Sequence, residues 1–257
     1  MGRVRKIKEA RRKQALEKQQ ARVLTRRRFL KKSVRIGLGI AAGTATFRLL
    51  TRKEAKFKPP VFHLSIQESI HPETKARIEK MAGIALNFTG EKKGKQLSGK
   101  TVRIVVGTFK GQERLWDASQ AQTFGNIRTP NYYAVTVIDF AQGKEPDFNV
   151  HLNWERVKQS FAGRPDAEQR AVLRSFGLLF NEVGGNVIIF DKYKPVIEKK
   201  GVTPELRRKM EIESFENGIS LLESFIRERI PASSVQFRQL MLEEVNFQKG
   251  LLESWKR

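Results

Sequence analysis

The chain has no cysteine among its 257 residues. Disulfides, zinc–thiolate sites and thiol nucleophiles are therefore excluded. Histidine is nearly as scarce: His63, His71 and His151 are the whole set, and none stands four residues from another. No helix can then present two imidazoles to one metal ion a turn apart. Long apolar runs are missing too. The twelve uncharged residues from Ile36 to Phe47 reach ~18 Å as a helix, well short of a hydrocarbon core of about 30 Å. Negative charge is sparse at one end only. Residues 1–58 hold 20 Lys+Arg against 3 Asp+Glu, whereas the remaining 199 residues hold 30 against 24. The net charge of +23 and the pI near 10.5 thus belong mainly to a leader, and the body is an ordinary, mildly basic globular sequence with enough chain for one sizeable core. Gly37-x-Gly39 and Gly184-Gly185 lack the strand–loop–helix setting of a phosphate cradle. Ser160, Ser175 and Ser214 stand in no nucleophile motif.

What the sequence does contain begins with residues 1–24, rich in Lys, Arg, Gln, Glu and Ala, with no glycine after Gly2 and no proline. These are good helix formers, and their sparse apolar residues make no core-facing stripe, so a solvated basic helix is expected. Such a leader suits the anionic cytoplasmic surface of a membrane. The rival reading is an intracellular nucleic-acid-binding arm. Residues 1–24 contain no aromatic residue for base stacking, which makes nucleic acid the weaker partner.

Next comes Thr25-Arg26-Arg27-Arg28-Phe29-Leu30-Lys31, followed by the apolar run from Ile36. This stretch resembles a twin-arginine (Tat) export signal: Thr25, Arg26, Arg27, Phe29, Leu30 and Lys31 fill every defined position of the S/T-R-R-x-F-L-K pattern. The resemblance implies the Tat translocation machinery as a partner, folding before export, and an extracytoplasmic or membrane-anchored body with a cytoplasmic N-terminus. Residues 25–50 are then a signal or short anchor. Small residues at Ala41, Gly43 and Ala45 offer cleavage spacing, yet Phe47, Leu49 and Leu50 carry the apolar character past them, so an uncleaved anchor stays open.

Residues 51–60 read as a charged linker closed by Pro59-Pro60, and 61–257 as one globular domain. Alternating or apolar runs predict strands at 61–66, 101–106, 132–140 and 148–153, the last a short edge strand. A helix opens at Pro72-Glu73-Thr74. Another follows Asp166, with Gln169 as capping-box partner, Val172, Phe176, Leu179, Phe180 and Val183 as its buried stripe, and Gly184-Gly185 as its stop. Thr203-Pro204 caps a third, and a last helix spans about 233–254. The fold expected is α+β, a small mixed sheet with helices gathered toward the C-terminus.

The run Leu178-Leu179-Phe180-Asn181-Glu182-Val183-Gly184-Gly185, coming after strand, helix and further strands, resembles the active helix of zincin-like metallopeptidases, which carries H-E-x-x-H. Glu182 and Gly184 match H-E-x-G-H, whereas Asn181 and Gly185 stand where the ligand histidines belong. Glu211-Ile212-Glu213-Ser214-Phe215-Glu216-Asn217 is similar to the downstream helix that supplies a carboxylate ligand in gluzincins. The resemblance implies a pseudo-metallopeptidase without metal, cofactor or catalytic residue: an amide and a glycine cannot replace two imidazoles. Two alternatives stay open. One is an active metal-dependent peptidase in which His151 and Glu211, Glu213 or Glu216 converge on Glu182. The other is an unrelated α+β fold whose N-E-x-G-G run merely ends a helix.

Overall fold

The structure, a computed structural model, describes residues 39–41, 44–48, 58–108, 132–139 and 146–257. The chain divides into two units, Met1–Gly37 and Leu38–Arg257, and every described residue belongs to the second. The basic leader and the targeting residues 25–31 lie outside the described residues.

The body is α+β. Its strands are β1 (Gly39–Ala41), β2 (Thr44–Arg48), β3 (Val61–Ile66), β4 (Thr101–Gly107), β5 (Ala134–Asp139) and β6 (Asp147–Asn153). They form one mixed sheet in the order β1-β2-β3-β4-β6-β5. β3, β4 and β6 run parallel, and β5 closes one side antiparallel to β6, with Thr136 opposite Val150 and Val135 opposite His151. The strand around His151 was expected at the edge; it is interior, and β5 is the edge among the described residues. The four core strands match the expected runs to within two residues. β1 and β2 pair antiparallel with each other, and β2 with β3. They fall within residues 25–50, read from the sequence as a signal or anchor.

The period of two decides which face is covered. Phe62, Leu64 and Ile66 of β3, Val102, Ile104 and Val106 of β4, and Phe148, Val150 and Leu152 of β6 are all buried. The helices pack on that face. They are α1 (Pro72–Lys93), the short α2 (Trp154–Gln159), α3 (Ala167–Asn181), α4 (Ile188–Lys200), α5 (Pro204–Arg229) and α6 (Val235–Lys256). Pro72 opens α1, where a missing N–H costs nothing. The Thr203 side chain accepts from the Leu206 N–H at 3.2 Å, as its position before Pro204 predicts. Asp166 does not cap through its side chain: its carboxylate takes the Arg170 guanidinium at 2.7 Å instead, and no capping box forms. In the core, Phe176 stacks edge-to-face on Phe180 and Phe225, each with centroids 5.1 Å apart, and Phe88 meets Phe225 at 5.4 Å.

The largest departure from expectation lies at Gly184-Gly185. The helix does not stop there. Residues Glu182–Val187 form a single π-helical turn that joins α3 to α4, making one helical stretch from Ala167 to Lys200. By length and composition this stretch alone, among the described residues, is able to cross a membrane, but 89% of its most apolar window is buried in the body. The glycines serve approach, not termination. A Cβ on Gly185 would lie 2.3 Å from Ser214 Oγ and 2.5 Å from the Ser214 carbonyl oxygen, and one on Gly218 would lie 2.6 Å from the Asn181 Cα. Neither helix can withdraw locally without leaving a void.

Gly185→Ala and Gly218→Ala should each lower stability by about 2–3 kcal/mol, because the obstacles are backbone atoms that cannot rotate aside. Gly250, exposed on α6 with nothing within 4 Å of its Cβ position, gives the opposite sign. Gly250→Ala should stabilise by roughly 0.5–1 kcal/mol. Urea unfolding of the three variants checks both directions; a silent Gly185→Ala would contradict the close approach.

Candidate functional site

Glu182 is the first residue of the π turn and is 4% exposed. No cation meets its carboxyl in a hydrogen bond or ion pair among the described residues. Three neutral donors do. Thr136 of the edge strand donates its hydroxyl to Oε2 at 2.6 Å, Asn186 donates its amide to Oε2 at 2.9 Å, and Asn181 donates to Oε1 at 3.3 Å. Burial raises the carboxyl's pKa, and the three hydrogen bonds, Thr136 first, oppose that rise.

The π turn is what assembles this set. Asn186 stands four residues after Glu182 but five after Asn181, and a turn that holds one residue more than an α turn brings both amides to the carboxyl. Gly185, expected at the position of the second ligand, is instead pressed against Ser214, and Asn186 comes round to the carboxyl. Asn181 is held from the other side, where Ser214 Oγ lies 3.4 Å from both its backbone oxygen and its Oδ1. Thr136 reaches the site because it sits in the core-facing register of β5 beside Ile138, and both are buried.

A second carboxyl faces the first. Glu211 on α5 is half-buried. Desolvation, and then the charge of Glu182, push its pKa up to about 7, with the Arg207 guanidinium one turn earlier pulling the other way. Glu213 and Glu216 do not join the site. Glu213 accepts from Tyr193 at 2.6 Å and pairs with Lys192, and Glu216 lies 3.9 Å from Lys256. His151 is absent from it as well. Its register partner is Val135, not Thr136, which turns it to the opposite face of the sheet. There its Nδ1 meets the Tyr132 hydroxyl at 2.9 Å, and burial pushes its pKa down to about 4. The convergence of His151, Glu213 and Glu216 on Glu182 is therefore corrected to Glu211 alone.

The donor set does not fit a zinc ion. The amides of Asn181 and Asn186 turn N–H groups toward Glu182, Gly185 has no side chain, and no three His, Cys, Asp or Glu side chains cluster for a metal among the described residues. What the arrangement can do is hold a desolvated carboxyl in one geometry, with the half-buried Asn186 and Glu211 beside it. Asn186 escapes a reading by the H-E-x-x-H pattern because it stands five residues after Asn181, where the pattern asks for four; the one signal for Thr136 is a polar residue in a core-facing slot. Searches of family models, curated proteins and solved structures find no match for this chain.

The two facing carboxyls give a signed pH dependence. Glu211 binds its proton more tightly folded than unfolded, so stability is full below about 4.5 and is lost as pH rises toward about 7. Glu211→Gln should remove that loss, gaining on the order of 2 kcal/mol at pH 8 over the parent and almost nothing at pH 4.5. Denaturant midpoints at the two pH values check it; an equal effect at both would show that the carboxyl does not titrate in this window.

Proposed function

We propose that this chain is a Tat-targeted protein whose body works at the outer face of the membrane, or beyond it, as a non-catalytic binding or structural module on a zincin-like metallopeptidase scaffold. One observation carries the reading of the body: amides from Asn181 and Asn186 converge on Glu182 from one helical segment, where a zincin would present two imidazoles beside its glutamate. Glu211 from the following long helix supplies the further carboxyl. The mixed sheet, with an antiparallel edge strand against the site through Thr136, suits the same scaffold. In that reading the metal has been replaced by a hydrogen-bond network, and the glutamate has no metal-bound water to deprotonate.

The scaffold reading predicts where a metal site can be restored. Asn181→His/Asn186→His, with Glu211 retained, should take up about one Zn²⁺ per chain, and adding Glu211→Gln should weaken that uptake at least tenfold. Metal analysis, with circular dichroism to confirm folding, reads the result. A folded double variant that binds no zinc would remove the zincin-like reading.

The targeting reading rests on the match of Thr25, Arg26, Arg27, Phe29, Leu30 and Lys31 to the export pattern. On it, β1 and β2 pair with β3 only when their residues are not engaged by the translocase or a bilayer. Arg26→Lys/Arg27→Lys should leave the precursor inside the cell, as cell fractionation would show, and unchanged export would end the idea.

A further inference from the structure

The body's excess of positive charge is not spread over its surface. Residues 192–209 hold seven Lys and Arg against two Glu, while the other residues from 59 onward hold 23 against 22. The segment is the end of α4, the turn 201–203 and the beginning of α5. Lys199, Lys200, Arg208 and Lys209 are all exposed. Apolar side chains stand among them: Pro195 is exposed on α4, and Val196, 41% exposed, is one of the few large apolar residues left in solvent among the described residues. Trp255 of α6 borders the same region. Its ring lies 5.9 Å from the Arg207 guanidinium, and its carbonyl oxygen accepts from Arg208 Nε at 2.7 Å. The indole is half-buried.

Basic side chains around the exposed Pro195 and Val196, with a tryptophan at the border, match the layering of a bilayer surface: anionic headgroups outside, hydrocarbon within, and indole at the boundary. The partner class follows from what this surface offers. A nucleic acid would want exposed aromatic faces for stacking or donors placed for base edges. The one aromatic residue of 192–209, Tyr193, is buried with its hydroxyl on Glu213. We propose that the α4–α5 hairpin is a docking surface for an anionic lipid bilayer. The inference extends the membrane-side part of the proposed function and is independent of the basic leader, which lies on a different part of the chain.

Vesicles of phosphatidylcholine with ~30% phosphatidylglycerol, carrying brominated acyl chains, test it on the full chain. A leader with 20 Lys+Arg against 3 Asp+Glu in residues 1–58 is expected to bind such vesicles by itself, so total binding is not the readout; the local approach of Trp255 is. Bromine quenching of tryptophan emission should be present in the parent and lost in Trp255→Phe. It should fall at least threefold in Lys199→Glu/Lys200→Glu/Lys209→Glu, with unchanged circular dichroism and the chain still bound. Three outcomes overturn the proposal: no Trp255-dependent quenching, quenching that survives the charge reversal, or loss of quenching when a short DNA duplex is added at equal phosphate concentration. Because vesicle binding needs no translocation, its failure leaves the export test standing, and failure of export leaves this one standing.

Discussion

Two helical segments pass each other with no room for a Cβ at Gly185 or at Gly218, and the rest of the site depends on that crossing. The approach presses Ser214 against the π turn and fixes Asn181. It also allows the turn to hold one extra residue without opening a void. A π turn is a weakly favoured geometry in isolation. Here it is held because both neighbours are rigid: α5 on one side and, through Thr136, the edge strand on the other. Leu221, whose Cδ1 would meet a Cβ on Gly184 at 2.3 Å, fills the remaining space.

That packing carries an electrostatic cost, distributed over a few buried carboxyls. Among the described residues Glu182 has hydrogen-bond donors but no ion-pair partner, the half-buried Glu211 feels its charge, and a third, Glu244, is buried elsewhere against Arg174. Burial pushes Glu244 up to about 8 despite the guanidinium beside it. The Arg174–Glu244 pair is also sandwiched by aromatic rings, with Phe247 3.3 Å from the guanidinium carbon and Phe161 at 4.9 Å. It therefore fastens α6 to α3 as much by stacking as by charge. A structural anchor and a candidate site thus use the same residue type under different neutralisation. At Glu244 a cation does it; at Glu182, among the described residues, neutral dipoles do. A buried carboxyl held by neutral donors is the more strongly perturbed of the two arrangements, and it is the one the candidate site is built on.

The helix Ala167–Lys200 shows how one apolar segment can serve two readings. Its composition would suit a membrane span, yet its sides are taken by the sheet and by α1, α5 and the aromatic cluster around Phe176 and Phe180. The charged residues of α4 gather at its far end, where the chain turns at Gly201 with φ of 70°. The helix is apolar where the body encloses it, and over its last turns only Tyr193 and Ile197 stay buried while the lysines face outward.

The sequence by itself determined the α+β class, the four core strands, the Thr203 cap, and the buried stripe of α3, because each follows from alternation, helical period or local hydrogen bonding within a few residues. It also located Glu182 and drew attention to Glu211. Only the tertiary structure decided that Gly184-Gly185 permits a crossing instead of ending a helix, that Asn186 and not Gly185 reaches Glu182, that β5 and not the strand of His151 borders the site, and that His151 faces away. The physical reason is the same in each case. Local pattern constrains dihedral angles and faces, whereas the approach of α5, the order of strands and the register of Thr136 against Val150 are set by residues far apart in the chain, whose contacts leave no period to read.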